Sequence, residues 1–203
     1  MNIERFMTAA PVIPVLVIDD VKDAVPIAEA LVKGGLTVLE VTLRTDAALD
    51  VIRAMTSVEG AIVGAGTVMN PREMDAAQEA GATFCVSPGL TEPLGRHAKE
   101  SGMPLLPGVA TPADLMRGMD MGFERFKFFP AEPLGGMAML KALAGPFDDV
   151  KFCPTGGITL ESAPEWLAHP QVVCVGGSWP VADPDPAAVE AAARKAAALE
   201  RSL

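Results

Sequence analysis

Short apolar runs alternate with longer amphipathic stretches along the chain, and this alternation restricts the fold more than any other feature. The stretches between the runs have helical spacing, as in the segment where Ala24, Ile27 and Leu31 share one face. Strands that alternate strictly with helices pair in parallel through right-handed crossovers. Eight apolar runs are predicted strands, recurring about every 20 to 25 residues: Val12–Ile18, Thr37–Leu43, Ala61–Ala65, Thr83–Val86, Pro104–Leu106, Glu124–Phe128, Val150–Cys153 and Val172–Val175.

The number of these units decides between two α/β architectures. Eight units close naturally into a barrel, so we predict one α/β domain, a (β/α)₈ TIM barrel, over residues 1–203. An open doubly wound sheet is the alternative, and its first strand should lead into a glycine-rich phosphate-binding turn. The first turn here is Asp19-Asp20-Val21-Lys22, with no glycine, and the glycine-rich turns come late, after the seventh and eighth strands. This distribution of glycine favours the barrel.

Composition excludes several classes of partner. The chain has 16 basic and 26 acidic residues, a net charge of −10, and no basic run, so nucleic acid and anionic membranes are not expected partners. No apolar stretch approaches the roughly 20 residues of a membrane span. The three cysteines are far apart and lack metal-ligand spacing, so we expect no metal and place their reduced thiols in a reducing, cytoplasmic compartment.

The second predicted strand carries polar side chains on one face. Side chains alternate between the faces of a strand, so Glu40, Thr42 and Arg44 point to the same side. The outer face of a parallel barrel packs on helices, and these three groups must therefore point inward, near the carboxyl end of the strand. A half-exposed strand gives the same pattern, but parallel strands rarely have a wet face. The strand thus predicts an active site inside the barrel.

The sixth predicted strand brings a lysine to the same interior. It reads Glu124-Arg-Phe-Lys-Phe-Phe-Pro130, in which Lys127 lies opposite Phe126 and Phe128. Burial beside a cation, either Arg44 or Arg125, would disfavour the ammonium form. A neutral amine is the form that attacks a ketone. A lysine whose head group reaches the end of the strand and solvent is the alternative interpretation.

Two glycine-rich turns follow the seventh and eighth strands. They read Thr155-Gly156-Gly157 and Gly176-Gly177-Ser178. Glycine lets backbone N–H groups approach an anion closely, and barrels often bind phosphate at these two loops. Turns also use glycine for purely structural reasons, so the pair of turns, rather than either turn alone, predicts a phosphate site.

Six segments together resemble one enzyme family, the 2-keto-3-deoxy-6-phosphogluconate (KDPG) and 4-hydroxy-2-oxoglutarate (KHG) aldolases. The resemblance runs in order from about Pro11 to Trp179. It implies a (β/α)₈ barrel, a homotrimer, a cofactor-free class I mechanism, and pyruvate and a phosphorylated keto acid as ligands. The segments are Glu40-Val-Thr-Leu-Arg-Thr45, Gly64-Ala-Gly-Thr67, Ser87-Pro-Gly-Leu-Thr91, Phe126-Lys-Phe-Phe-Pro-Ala131, Pro154-Thr-Gly-Gly157 and Gly176-Gly-Ser-Trp179.

The resemblance also implies a role for each matching residue. Lys127 corresponds to the Schiff-base lysine and Glu40 to the general acid/base. The remaining correspondences are Arg44 and Thr67 at the pyruvate carboxylate, Phe129, Pro88 and Thr155 in the pocket wall, and Gly156, Gly157, Gly177 and Ser178 at the phosphate. Pro180 departs from the pattern, because the family's pattern leads us to expect an apolar residue with a backbone N–H there.

Three functions agree with these residues. Cleavage of KDPG in the Entner–Doudoroff pathway is the main prediction. KHG cleavage as the main activity is the first alternative, since it requires no phosphate site. The second alternative, from another class, is a metal-dependent or non-catalytic barrel that binds a sugar phosphate.

Overall fold

The alternating pattern folds into parallel strands and connecting helices in the computed structural model of the protein, which describes residues 3–202. Residues 1, 2 and 203 of the predicted domain lie outside the described residues. The strands are β1 Val12–Leu16, β2 Val38–Thr42, β3 Ile62–Gly66, β4 Cys85–Val86, β5 Leu105–Leu106, β6 Gly108–Val109, β7 Arg125–Phe128, β8 Lys151–Pro154 and β9 Val175–Gly177. The α-helices are α1 Glu4–Met7, α2 Ala24–Lys33, α3 Ala48–Met55, α4 Pro71–Glu79, α5 Glu92–Ser101, α6 Pro112–Asp120, α7 Gly136–Ala144, α8 Ala163–Leu167 and α9 Pro186–Ala197.

Capping residues mark the ends of two helices, α5 and α9. Thr91 begins α5, and its hydroxyl accepts a hydrogen bond from the Leu94 N–H at 3.4 Å. Gly102 ends the same helix with a left-handed φ of +74°. The Asp185 carboxylate accepts from the Ala188 N–H at 3.1 Å and begins α9. Local sequence therefore sets these boundaries.

The strands are parallel and form a curled β layer made of two hydrogen-bonded sheets. One sheet has six strands in the order β5-β4-β3-β2-β1-β9, and another has three in the order β6-β7-β8. Only Pro107 separates β5 from β6, so one extended segment belongs to both sheets. Two isolated parallel bridges connect the β8 region with the β9 region: Phe152 of β8 with Val172 before β9, and Thr155 after β8 with Gly176 of β9.

Apolar side chains pack on both sides of this curled sheet. A large cluster lies between the sheet and its helices and includes Phe126 and Phe128, both fully buried. A smaller cluster packs on the inner face, where the ring of Phe6 in α1 stacks on Phe84 at a centroid distance of 4.7 Å. The interior is therefore largely apolar, and the few polar groups in it require a specific explanation.

Several elements differ from the predicted ones, and β6 Gly108–Val109 extends beyond the predicted strand Pro104–Leu106. The last strand was predicted at Val172–Val175, but the paired strand is Val175–Gly177. Glycine weakens strands in general, yet Gly176 and Gly177 pair with Ile13 and Pro14 of β1. Helix α1 was not predicted, because four residues are too few to show helical periodicity. Within residues 3–202, no helix is long and apolar enough to cross a membrane.

Candidate active site

A buried lysine and a buried glutamate meet inside the curled sheet. Lys127 of β7 and Glu40 of β2 are 6% and 3% exposed, and Lys127 Nζ lies 3.1 Å from Glu40 Oε1. Strand alternation explains this placement, since Phe126 and Phe128 pack outward on the helices and turn Lys127 inward. An amine beside a carboxylate combines a nucleophile with a proton acceptor in a site that excludes most water.

Gly66 of β3 provides the space that the Glu40 side chain occupies. A β-carbon built on Gly66 would fall on the Glu40 side chain, 2.7 Å from its Cγ and closer still to Oε1. Glu40 is the register partner of Gly64, two residues earlier on the same strand. Gly66 belongs to the motif Gly64-Ala-Gly-Thr67, but the motif does not predict this function. No local sequence signal marks this glycine, because the side chain that it accommodates lies on another strand.

The charged partner of Lys127 differs from the predicted one. A neighbouring cation was expected, but the Arg125 guanidinium donates to Glu4 of α1 at 2.8 Å. The partner is instead the Glu40 carboxylate, with the ring of Phe129 on another side at 5.3 Å from Lys127 Nζ. Arg125 begins β7, where Lys151 of β8 is its register partner, whereas Lys127 lies near the carboxyl end of β7. The same strand face therefore reaches two different ends of the sheet.

Two buried threonines also belong to the buried polar residues, as does Ser87. The Thr42 hydroxyl donates to the Leu16 carbonyl at 2.8 Å, so it links β2 to β1. Thr155 is 5% exposed, and its Oγ1 lies 3.9 Å from the Cys153 sulfur. A β-carbon at Gly176 would fall on Thr155 Oγ1, which explains the glycine there. Thr155 therefore lies between the interior and the two glycine-rich turns.

The first glycine-rich turn is held against the loop that follows β7. Gly156 and Gly157 have φ values of +106° and +83°, a conformation that favours glycine. Ala131 N–H donates to the Thr155 carbonyl at 2.8 Å, and Glu132 N–H donates to the Gly156 carbonyl at 3.0 Å. The predicted turn thus lies beside the strand that carries Lys127.

The second turn requires glycine for a different reason. A β-carbon at Gly177 would fall within the Trp179 ring, so close packing rather than a positive φ excludes a side chain. Ser178 follows and is exposed. Pro180 lies in the short 3₁₀ helix Trp179–Val181 and has no N–H to offer a ligand. The structure places this turn beside Thr155, through the bridge between Thr155 and Gly176.

The other predicted site residues lie on loops after the strands. Arg44 follows β2 and is exposed, and among residues 3–202 no hydrogen bond or ion pair engages its guanidinium. Thr67 follows β3 with a φ of +60°, unusual for a residue with a side chain. Pro88 follows β4. A β-carbon built on Gly108, the register partner of Lys127, would fall on the Pro88 carbonyl oxygen. These positions agree with a site at the carboxyl ends of the strands.

Between residues 3 and 202, no three His, Cys, Asp or Glu side chains converge as a metal site would require. The three cysteines are buried and free. Burial raises the pKa of the Cys85 thiol to about 12.

Comparison with known proteins shows the family of this chain. The model of the aldolase family described as "KDPG and KHG aldolase" matches residues 3–191. The chain belongs to this family. The KDPG/KHG aldolase relatives include the 2-dehydro-3-deoxy-phosphogluconate aldolase of Zymomonas mobilis, which is 58% identical over 99% of this chain and 98% of its own. The KHG/KDPG aldolase of Escherichia coli is 55% identical over 87% of this chain and 83% of its own.

Solved structures of KDPG aldolases have the same fold. The Zymomonas mobilis enzyme with 3-phosphoglycerate superposes with a TM-score of 0.97 at 57% identity, over 99% of this chain and 97% of that chain. The Legionella pneumophila enzyme holds pyruvate captured at low pH as a covalent carbinolamine intermediate. It superposes with a TM-score of 0.94 at 43% identity, over 97% of this chain and 98% of that chain.

Proposed function

We propose that this chain is a class I Schiff-base aldolase that reversibly cleaves KDPG to pyruvate and glyceraldehyde 3-phosphate. The buried contact of 3.1 Å between Lys127 Nζ and Glu40 Oε1 carries the proposal. It provides an amine and a proton acceptor within hydrogen-bond reach, which imine chemistry requires. The names of the relatives support the substrate, and the carbinolamine held by the Legionella enzyme supports the covalent route.

The reaction begins with imine formation. Glu40 accepts a proton from the Lys127 ammonium, and the neutral amine adds to the C2 carbonyl carbon of the substrate. The resulting carbinolamine takes up a proton and loses water, which leaves a protonated imine between Lys127 and C2. Glu40 returns the proton that this loss of water requires, directly or through one water molecule.

Cleavage follows because the protonated imine accepts electrons. Glu40 removes the proton of the C4 hydroxyl, the C3–C4 bond breaks, and its electron pair moves into the imine. Glyceraldehyde 3-phosphate leaves and an enamine remains on Lys127. Glu40 returns that proton to C3, directly or through one water molecule, and water hydrolyses the imine to release pyruvate and the free lysine. These steps use no cofactor and no metal.

The remaining predicted residues bind the substrate around this centre. Arg44 and Thr67 hold the carboxylate of the keto acid, with the Arg44 guanidinium donating a forked pair of hydrogen bonds. Phe129, Pro88 and Thr155 form the wall of the pocket. Gly156, Gly157, Gly177 and Ser178 bind the phosphate.

The same proposal includes the architecture and assembly of the protein. The curled sheet closes into a (β/α)₈ barrel within one domain, which the continuity of β5 and β6 and the two bridges from β8 support. The protein works in the cytoplasm as a homotrimer, as the family resemblance implies. Light scattering after size-exclusion chromatography should give three times the chain mass of 21.1 kDa.

KHG cleavage is a second candidate, because the family description and the Escherichia coli relative both name it. Release of pyruvate, followed with lactate dehydrogenase, measures both activities on one preparation. We expect a higher kcat/KM with KDPG, and no effect of a chelator. A higher value with 4-hydroxy-2-oxoglutarate would reverse the order of the two candidates. No pyruvate from either substrate, or loss of activity with EDTA, would overturn the proposed mechanism.

A further inference from the structure

An exposed acidic residue outside the proposed catalytic set connects three parts of the site. Glu132 lies in the loop between β7 and α7, five residues after Lys127. Its Oε1 accepts a hydrogen bond from Trp166 Nε1 of α8 at 3.1 Å, and its own N–H donates to the Gly156 carbonyl at 3.0 Å. One residue thus links the strand of the lysine, the first glycine-rich turn and the helix after that turn.

The Glu132 side chain also determines where Gly157 lies. A β-carbon on Gly157 would be 2.7 Å from Glu132 Cβ and 2.9 Å from Cγ, so the stem of Glu132 packs directly on this glycine. Glycine has no β-carbon, so this turn, in which φ at Gly157 is +83°, is open to many conformations until something packs against it. The Glu132 stem restricts those conformations.

The hydrogen bond to Trp166 keeps the Glu132 side chain in this position. The Trp166 residue is 2% exposed and packs against Phe128, the neighbour of Lys127, with ring centroids 6.3 Å apart. The indole N–H is the only polar group on that side chain, and a buried donor without an acceptor is costly. An acceptor of the length of Glu132 is therefore favoured here.

From these contacts we propose that Glu132 is a positioning residue for phosphate recognition, which fixes the Gly156-Gly157 turn so that its N–H groups face the substrate phosphate. The inference depends on the proposed function, because it takes the phosphate to bind at this turn. The Glu132 oxygen that accepts the hydrogen bond from Trp166 is what fixes the turn. The negative charge of Glu132 does not contribute, since a nearby anion would only repel the phosphate.

Two conservative substitutions separate the oxygen from the charge. Glu132→Gln keeps the length and the acceptor oxygen but removes the charge. Glu132→Asp keeps the charge but is one methylene too short to reach Trp166. Glu165→Ala is the matched control, because it removes an exposed acidic group from the same helix as Trp166 without touching the turn.

The measurement is KM and kcat with KDPG and with 4-hydroxy-2-oxoglutarate on each variant. We expect Glu132→Asp to raise KM for KDPG by roughly five- to tenfold, which corresponds to the loss of one positioned hydrogen bond. Its kcat with KDPG, and both constants with 4-hydroxy-2-oxoglutarate, should stay within about twofold of the unmodified chain. Glu132→Gln and the control should stay within about twofold of the unmodified chain on both substrates.

Three outcomes would overturn the assignment. Unchanged kinetics in Glu132→Asp would show that the turn does not depend on this contact. Equal losses on both substrates would show that Glu132 supports the whole pocket, and a raised KM for KDPG in Glu132→Gln would show that phosphate recognition needs the charge. Failure of the proposed function is read separately, on the unmodified chain, as the absence of cleavage or of competition by inorganic phosphate.

Discussion

Lys127 Nζ lies 3.1 Å from Glu40 Oε1, although 87 residues separate the two along the chain. Both side chains are almost fully buried, and each is the other's charged partner. Removal of one member leaves an uncompensated charge in the interior, which costs several kcal/mol. The pair is therefore expected to matter for stability as well as for chemistry, and variants at either position need a folding control.

The first prediction concerns the nucleophile. Incubation with pyruvate and borohydride should add a reduced pyruvyl group to Lys127 and inactivate the protein, because borohydride reduces the imine irreversibly. Lys127→Ala should lose nearly all cleavage and all labelling. Peptide mass mapping locates the adduct, and a thermal melt shows whether the variant is folded. A label on any other lysine would refute the assignment of the nucleophile.

The second prediction concerns the proton acceptor. Glu40→Gln keeps an oxygen that can accept a hydrogen bond from Lys127 but cannot take its proton. Turnover should fall by roughly 10²- to 10⁴-fold, the usual contribution of a general acid/base, while trapping at Lys127 continues more slowly. Steady-state kinetics and borohydride labelling on the same preparation measure both effects. Turnover near that of the unmodified chain would leave Glu40 a purely structural partner.

The third prediction concerns the space that Glu40 occupies. Gly66→Ala places a methyl group where the Glu40 side chain now lies, so the carboxylate must move away from Lys127. We expect turnover to fall by about tenfold or more, equivalent to at least about 1.4 kcal/mol in the barrier. Gly145→Ala is the matched control, since its nearest contact would be an ordinary 3.6 Å. Unchanged kinetics in Gly66→Ala would mean that the present position of Glu40 is not required.

Periodicity predicted the strands that carry this pair, and periodicity together with the expected parallel barrel predicted which face of each strand points inward. The inward direction of Lys127 follows from the two phenylalanines beside it, which need the apolar layer under the helices. Sequence could not supply the distance between β2 and β7, because long-range packing sets it. The same limit explains why Arg125 was expected near Lys127 and instead pairs with Glu4 of the unpredicted helix α1.

Glycine is the residue whose function the sequence indicated least well. Glycine pairs predicted turns, and Gly156 and Gly157 do adopt positive φ. Gly66 and Gly177, in contrast, are needed because the Glu40 side chain and the Trp179 ring lie against them. A glycine that gives room to another side chain has no local sequence signal, because its partner comes from elsewhere in the fold or from a neighbouring turn.

The fourth prediction concerns the buried thiols. Burial raises the pKa of Cys85 to about 12 from an ordinary 9.0, and burial also raises that of Cys174. The native protein at pH 8 should therefore react very slowly with a thiol-specific disulfide reagent, and three thiols should react once it is denatured. Rapid reaction of the native protein would contradict this burial.

The same shift has a consequence for alkaline stability. Below about pH 9 the Cys85 thiol is protonated in both the folded and the unfolded chain. Between pH 9 and 12 the unfolded chain loses this proton while the folded chain retains it. The free energy of unfolding should then fall as pH rises through this range. Thermal melts at pH 8 and pH 10 should show a smaller loss of stability between these pH values for Cys85→Ala than for the unmodified chain.

The last prediction concerns the phosphate, and it depends on a choice between two neighbouring residues. Gly177→Ala is a poor test, because its new methyl group would collide with the Trp179 ring and disturb the turn with any substrate. Ser178 is exposed and has no such contact to lose, so Ser178→Ala removes only a hydroxyl. If that hydroxyl donates to the phosphate, kcat/KM for KDPG should fall by the equivalent of roughly 1.5–3 kcal/mol, as for a hydrogen bond to a charged group. Cleavage of 4-hydroxy-2-oxoglutarate should hardly change, since that substrate places no phosphate there. Pro180 has no N–H to donate to the phosphate at this turn, so Ser178 must contribute more of the phosphate-binding hydrogen bonds. Equal losses on both substrates would show a general effect on the pocket, and no loss with KDPG would place the phosphate away from Ser178.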